Sequence, residues 1–259
     1  MSNQPYERYA FLSVLDKTHV VELATALQQK FHYGLMATGG TRKTLVAAGL
    51  TVIDMTEITG FADLLDGRVK SLHPTVFAGI LAKRDNAKHM DQVDYKIDIV
   101  AVNLYPFEMG LAHPETAENP AAMAELIDIG GSSLIRAAAK NHKDVAVLSS
   151  PEQYEPLLAD MVNNSGDVSS SLKKRLALTA FERSSSYDNA ISGYLSSQLL
   201  GEALGDTAKE LSFPTTLNIT LHNVQSMRYG ENPHQDAALF AIRPDQIDFN
   251  LLHGKPLSY

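Results

Sequence analysis

Between Asp128 and His142 the chain reads DIGGSSLIRAAAKNH, setting an acid, an arginine, a lysine, an amide and a histidine among alanines and aliphatic residues. Leu134, Ile135 and Ala137 to Ala139 supply the apolar stripe that burial of a helix requires. Packing does not ask for Asp128 ahead of Gly130 and Gly131, nor for Lys140, Asn141 and His142 at the far end. That surplus of polar groups on a buriable helix marks a candidate reaction site. Arg136 and Lys140 are four apart and share a helix face. On one straight helix Asp128 and Lys140 stand roughly 18 Å apart, at about 1.5 Å per residue. They act together only if the glycine pair breaks the chain or a substrate spans the gap. The plain alternative is a capped helix with solvated cations.

Four further clusters carry residues of the right type. Thr38-Gly39-Gly40-Thr41 lies between a strand pattern and a helix pattern, where small residues let N–H groups and hydroxyls approach an anion at the positive helix end. A tight turn would use the same glycines. It is neither a P-loop, since Arg42 stands where a glycine should precede Lys-Thr, nor a GxGxxG dinucleotide turn. Asp16-Lys17-Thr18 follows the first strand and shares that crevice if ligands bind beyond the carboxyl ends of parallel strands; helix capping is the alternative. Gly67 to Pro74 brings together Arg68, Lys70 and His73; in an extended segment Arg68 and Lys70 project to one side, as a clamp for an anion or a carbonyl oxygen, unless the segment is a solvated loop. Asn103-Leu104-Tyr105-Pro106-Phe107 closes another strand, and a tyrosine there donates a proton, stacks on a flat ring or merely seals the core edge.

The elements that must position these residues follow from hydrophobic periodicity. Strands are expected at Ala10 to Leu15, Tyr33 to Ala37, Thr51 to Met55, Ile97 to Val102 and Val145 to Ser149, the last two as largely apolar runs suited to burial on both faces. Helices are expected at Thr18 to Lys30, from the TGGT turn to about Ala48 with Gly49 as its stop, and over most of Pro151 to Leu200. Strands spaced by helices imply βαβ units: an α/β fold with a parallel sheet covered by helices on both faces. The polar stretch GEALGDTAKELSFP reads as a linker. We therefore expect a domain over 1–201, a linker over 202–215 and the opening part of a second, α+β domain over 216–259, beginning with a strand at Thr216 to Val224.

Composition excludes several classes. With 44% hydrophobic and 20% charged residues the chain is of ordinary globular type. No apolar run approaches the ~20 residues of a membrane helix, and MSNQPYERYAF lacks a secretory pattern, so a cytoplasmic protein without membrane partners is expected. The absence of cysteine removes disulfides, thiolate nucleophiles and sulfur-ligated zinc, and none of the nine histidines forms an HExxH pair, so no metal is expected. A net charge of −8 argues against nucleic acid, while a small anionic substrate needs only a local basic pocket.

The motifs SVLDKT, ATGGTRKTL, TGFADLLDGRVKSLHP, DIVAVNLYPF, IDIGGSSLIRAAAKNHKDVAV and RYGENPHQ, in this order, resemble the bifunctional purine-biosynthesis family that joins an IMP cyclohydrolase domain to an AICAR transformylase domain. The resemblance implies a methylglyoxal synthase-like fold over the first domain and only the beginning of the transformylase after it. It implies a reaction in which the carboxamide nitrogen of a formylated aminoimidazole carboxamide ribonucleotide attacks its own formyl carbon, water leaves, and IMP forms. By the same resemblance Ser13, Lys17, Thr38, Gly39, Gly40 and Thr41 hold the ribose phosphate, and Arg68, Lys70 and Ser71 line the base and formyl end. Asn103 and Tyr105 position the ring, Ile129, Gly130 and Gly131 contact the substrate, and Lys70, Tyr105, Asp128 and Lys140 form the catalytic set. Arg228, Tyr229 and His234 correspond to the first nucleotide-binding motif of the transformylase. The cyclohydrolase needs no cofactor; 10-formyltetrahydrofolate belongs to an intact transformylase, whose activity is expected to be absent here. A homodimer is implied as well. Leu15 stands where the family usually has Ser, His19 where it has Gly, Phe77 where it has His and Ser71 where it has Thr. The competing readings are a non-catalytic phosphate-binding or assembly module of the same fold and, less well supported, methylglyoxal synthase itself.

Overall fold

The computed structural model describes residues 6–61, 65, 69, 71–104, 107–204, 216, 218–243, 252–255 and 257. These divide into two compact units, Met1–Ile191 and Ser192–Tyr259.

The first unit is built on a five-stranded sheet. Its strands are β1 (Tyr9–Ser13), β2 (Gly34–Ala37), β3 (Val52–Asp54), β4 (Ile97–Val102) and β5 (Ala146–Leu148), in the order β3-β2-β1-β4-β5. Every pairing is parallel. Strands buried on both faces must be apolar along their whole length, which is why YAFLS, GLMA and AVL show no alternation. The helices are α1 (Val20–Thr25), α2 (Gly39–Ala47), α3 (Met55–Thr59), α4 (Pro74–Leu81), α5 (Ala87–Met90), α6 (Phe107–Ala112), α7 (Pro114–Ala117), α8 (Pro120–Glu125), α9 (Ile129–Lys140), α10 (Tyr154–Asn163) and α11 (Ser170–Leu204). The core runs continuously from Phe11 and Leu12 of β1 through Val100 of β4 to Leu134 and Ile135 of α9 and Leu176 of α11.

The chain winds from β1 out to β3, then returns to place β4 on the other side of β1. Between β1 and β4 the connections leave in opposite directions, opening a crevice beyond the carboxyl ends of the strands. Ser13 ends β1, Thr38 follows β2 and Asn103 follows β4, so three of the expected ligand segments stand at this point.

Two elements differ from expectation. The helix expected from Thr18 begins at Val20, because His19 adopts a left-handed conformation with φ of 56°. It then widens into a π-helical turn over Ala26–Lys30, where the Phe31 N–H bonds Ala26 O at 3.2 Å. Helix α11 follows one packed stripe, burying Leu172, Leu176, Ala177, Ala180, Ser184 and Tyr187 at helical spacing. It continues to Leu204, so the start of the expected linker lies within its last turn.

In the second unit β6 (His222–Ser226) pairs antiparallel with β7 (Ala238–Ala241). The expected strand at Thr216 to Val224 thus forms later, from His222. The RYGENPHQ segment is the connection between the strands, closed by Gly230 N–H to Gln235 O at 2.8 Å and Met227 N–H to Ala237 O at 2.9 Å. Arg228 lies over the Tyr229 ring, its guanidinium carbon 5.2 Å from the centroid, and His234 is exposed. Among the described residues of the whole chain no helix is long and apolar enough to cross a membrane.

Candidate active site

The carboxyl ends of β1, β2 and β4 and the start of α9 enclose a cleft of about 690 Å³, ordinary for a small-molecule site. At its floor the Ser13 and Thr38 hydroxyls lie 2.7 Å apart. Thr38 precedes α2 but its side chain does not cap the helix, so the first-turn N–H groups receive no bond from it. Gly39 makes the turn at φ 41°, a conformation strained for residues with a β-carbon. A β-carbon at position 40 would sit 3.7 Å from the Cε and Nζ atoms of Lys17, so glycine leaves the ammonium unscreened over the first turn of α2. Lys17 Nζ also donates to Leu15 O at 3.2 Å, which holds it there. An ammonium beside an uncapped helix N-terminus is an arrangement that attracts a phosphate.

Two expected ligands are used differently by the protein itself. The Thr41 hydroxyl is buried; it accepts from Val14 N–H at 2.9 Å and donates to Val14 O at 3.0 Å, fastening α2 to the end of β1. Asn103 Oδ1 accepts from the Leu15 and Asp16 N–H groups, and its Nδ2 donates to Asp16 O at 3.0 Å. Asn103 thereby staples the loop carrying Lys17 across the switch point. Because Leu15 meets Asn103 through its backbone, a change of side chain there leaves the staple intact. Asp16 accepts from Thr18 N–H at 2.9 Å, a local turn bond ahead of α1, whose N-cap is His19, and hydrogen bonds from Thr18 lower its pKa.

Asp128 is the N-cap of α9, its Oδ1 accepting from Gly131 N–H at 2.7 Å. A β-carbon at position 131 would fall 2.3 Å from Asp128 Oδ2, so the second glycine of the pair makes room for the carboxylate. Burial raises the Asp128 pKa above the usual aspartate value, against the lowering effect of the Gly131 hydrogen bond. Ser71, Ile129, Gly130 and Gly131 complete this wall, with Ser71 Oγ 3.4 Å from where a Gly130 β-carbon would be.

The glycine pair does not break the helix. Gly130 and Gly131 occupy its first turn and α9 runs unbroken to Lys140, so of the two ways in which Asp128 and Lys140 could act together, a break at the glycine pair does not form. Twelve residues at about 1.5 Å each put the two roughly 18 Å apart. Lys140 instead lines a separate hollow of about 590 Å³ with Lys83, Asp85, Lys143 and Asp144. Asn141 ends α9 by donating from Nδ2 to Ile80 O at 2.8 Å and Ala82 O at 3.1 Å, and His142 Nδ1 meets Ala139 O at 3.0 Å. The polar cluster after Ala139 is thus largely a helix terminus. Arg136 reaches Ser184 Oγ at 3.3 Å and lies over the Phe181 ring.

Arg68, Lys70 and Tyr105 lie outside the described residues. His73, their neighbour in sequence, caps α4 through Nδ1, which accepts from Thr75 N–H at 3.3 Å. Sequence reasoning did not find Val14, Ala124, Glu125 and Ile127, which also line the cleft, and met Leu15 there only as a departure from the family pattern. Nor did it find Tyr187, whose hydroxyl accepts from Asp128 N–H at 2.8 Å and donates to Leu126 O at 2.6 Å. The available signal was weak: a tyrosine on the buried stripe of a long helix needs some partner for its hydroxyl. Among the described residues no group of three or more His, Asp or Glu side chains is placed to hold a metal ion.

The parallel five-stranded sheet is consistent with an MGS-like domain, and the family model so described matches residues 19–133. The model described as the AICARFT/IMPCHase bienzyme matches residues 138–259. The chain is 46% identical to the bifunctional purine biosynthesis protein PurH of Ruminiclostridium cellulolyticum, over 96% of this chain and 48% of that protein. It is 44% identical to PurH of Polynucleobacter necessarius, over 97% of this chain and 48% of that protein. The crystal structure of ForH superposes with a TM-score of 0.62 at 31% identity, covering 73% of this chain and 98% of that one. The chain belongs to the AICARFT/IMPCHase bienzyme family. It spans about half the length of the curated relatives it matches.

Proposed function

We propose that this chain is an enzyme of purine biosynthesis that performs the IMP cyclohydrolase reaction. The observation that carries the reading is the meeting, in one cleft, of a phosphate-suited pocket made by Ser13, Lys17 and the Thr38–Thr41 turn with a carboxylate made more basic by burial, Asp128. A binder of phosphate alone needs this carboxylate only as the N-cap of α9 and not as a base in the cleft. In the proposed reaction the carboxamide nitrogen forms a bond to the formyl carbon of the same molecule. The carboxamide nitrogen gives up one proton, the formamido nitrogen gives up the other as it forms a double bond to the former formyl carbon, and the formyl oxygen takes up both and departs as water. Asp128 is the group in the described cleft suited to receive a proton from nitrogen, and its raised pKa makes it the stronger base. The ring closes within one molecule, so fixing the phosphate and the base in a reactive geometry supplies much of the acceleration. Arg68, Lys70 and Tyr105 enter the proposal as the groups for the formyl and ring end, on the motif resemblance alone. Lys140 is assigned no step in this cleft. Formyl transfer from 10-formyltetrahydrofolate is not proposed, since Arg228, Tyr229 and His234 stand on a connection between two largely exposed strands.

The test supplies the formylated nucleotide and follows IMP by absorbance for the wild type and Asp128→Asn. Asparagine keeps the N-cap, so the fold is retained while turnover falls about 10²- to 10⁴-fold. The variant melts at or above the wild-type temperature at neutral pH. A carboxyl whose folded pKa is raised contributes stability that is full below the ordinary aspartate range and is lost as pH rises through the raised value; asparagine has no such loss. A folded wild type that binds the nucleotide without closing the ring would sink the proposal in favour of a binding module.

A further inference from the structure

The capping of α9 leaves a polar group to be satisfied from elsewhere in the fold. In a capping box the side chain at the third helical position returns to bond the N–H of the cap residue. Here that position is Gly131, and a side chain is excluded because its β-carbon would meet the Asp128 carboxylate at 2.3 Å. The close approach that seats the carboxylate thus removes the usual acceptor for the Asp128 N–H. Tyr187, buried on α11, supplies one: its hydroxyl accepts from Asp128 N–H at 2.8 Å and donates to Leu126 O at 2.6 Å. Its ring stands edge-on to Phe107 at 6.2 Å, the residue that opens α6 two positions after Tyr105.

We propose that Tyr187 is a positioning residue for Asp128, clamping the Leu126–Asp128 turn at both ends and so setting where the carboxylate points in the cleft. Its consequence for rate rests on the ring-closing function proposed above; the clamp itself does not. Glu108 of α6 and Asp188 of α11 face Tyr187 together with Asp128, while Lys17 and Glu125 line the cleft that Asp128 borders. Burial first, then these carboxylates, raise the Tyr187 pKa, opposed by the bond from Asp128 N–H, so the hydroxyl keeps its proton and continues to donate to Leu126.

The experiment follows the Asp128 carboxyl carbon by NMR across pH in the wild type, Tyr187→Phe and Tyr33→Phe, with the signal assigned by its loss in Asp128→Asn. Tyr33→Phe removes a different buried hydroxyl, packed near Arg8 and remote from α9 in sequence. Tyr187→Phe is expected to admit water to the turn and lower the Asp128 midpoint by about half a unit or more. In the ring-closing assay it lowers kcat about tenfold or more, with KM for the nucleotide within about twofold, because the phosphate cradle is untouched. The acidic limb of the kcat profile moves down with the NMR midpoint, and Tyr33→Phe matches the wild type in both. An Asp128 midpoint unchanged in Tyr187→Phe, or shifted equally in Tyr33→Phe, overturns the proposal, as does a loss of thermal stability with an unmoved pH profile. Slow exchange of the Asp128 amide proton in the wild type is a check that needs no variant, and fast exchange overturns the clamp. If the wild type closes no ring while the midpoint still shifts in Tyr187→Phe, the clamp stands and the ring-closing function falls.

Discussion

Thr38 and Thr41 flank the same glycine pair and in sequence look interchangeable, yet the fold gives them different work. The Thr38 hydroxyl meets Ser13 at the cleft floor, whereas that of Thr41 is buried and engages both backbone groups of Val14. What separates them is a partner 27 residues away, which no local motif encodes. Thr41→Val, close in shape, leaves the Val14 N–H and C=O without a partner in the protein interior and is expected to cost about 1–3 kcal/mol. Thr38→Val, at the cleft, is expected to weaken phosphate binding with a smaller effect on stability. Thermal melts and calorimetry with IMP distinguish the two; a Thr41→Val protein as stable as the wild type would show that its hydroxyl serves the ligand after all. Asn103 repeats the lesson. Its place at the end of β4 was readable from the apolar run before it, but its use as a staple for Leu15 and Asp16 depends on strand order.

Helices and strands were legible to the extent that a single period decides them. Largely apolar runs located β4 and β5 within a residue or so, because strands covered on both faces admit few polar positions; the exception, Asp98 of β4, is paired with Arg84. The glycine pair left two readings open for a definite reason. Glycine weakens a helix interior, but in the first turn the governing fact is space, and Gly131 is there to admit the Asp128 carboxylate. The start of α1 was misjudged because backbone sign is invisible in a hydrophobic pattern. His19 sits at φ 56°, the conformation that suits the glycine usual in the family. Histidine tolerates this region better than most residues with a β-carbon, at a cost of roughly 1–2 kcal/mol. His19→Gly relieves that cost and gives part of it back through a freer unfolded chain. A net gain of about 0.5–1 kcal/mol is expected, read as a higher urea midpoint at unchanged slope. A lower midpoint would mean that the 3.6 Å approach of His19 Nδ1 to Glu22 matters more than the backbone strain.

For the whole molecule, the direction of the strands was enough to predict which turns meet: segments following parallel strands gather at one edge, whatever the strand order. Ser13, Lys17, Thr38 to Thr41 and Asn103 do gather there, and Lys140, at the far end of α9, does not. The division of the chain was less legible, because composition marks a linker while contacts mark a core. Every described residue lining the cleft, and Tyr187 behind it, belongs to the unit Met1–Ile191, whose core is continuous across the sheet. In the other unit Ile219, Leu221, Phe240, Ile242 and Leu252 are exposed, and Gly230 is the one buried position among its described residues after Leu204. A segment of that size is marginal for a core of its own, since chains below about 60 residues bury too small a share of their surface. A fragment ending at Leu204, which keeps α11 whole, is therefore expected to melt cooperatively within about 5 °C of the full chain and to close the ring at the same rate per molecule. The segment 205–259 alone is expected to show no cooperative melt and to bind a hydrophobic dye. Circular dichroism melts and the IMP assay on the two fragments decide it. Loss of the transition or of turnover on removing 205–259 would mean that the first unit does not hold its cleft unaided.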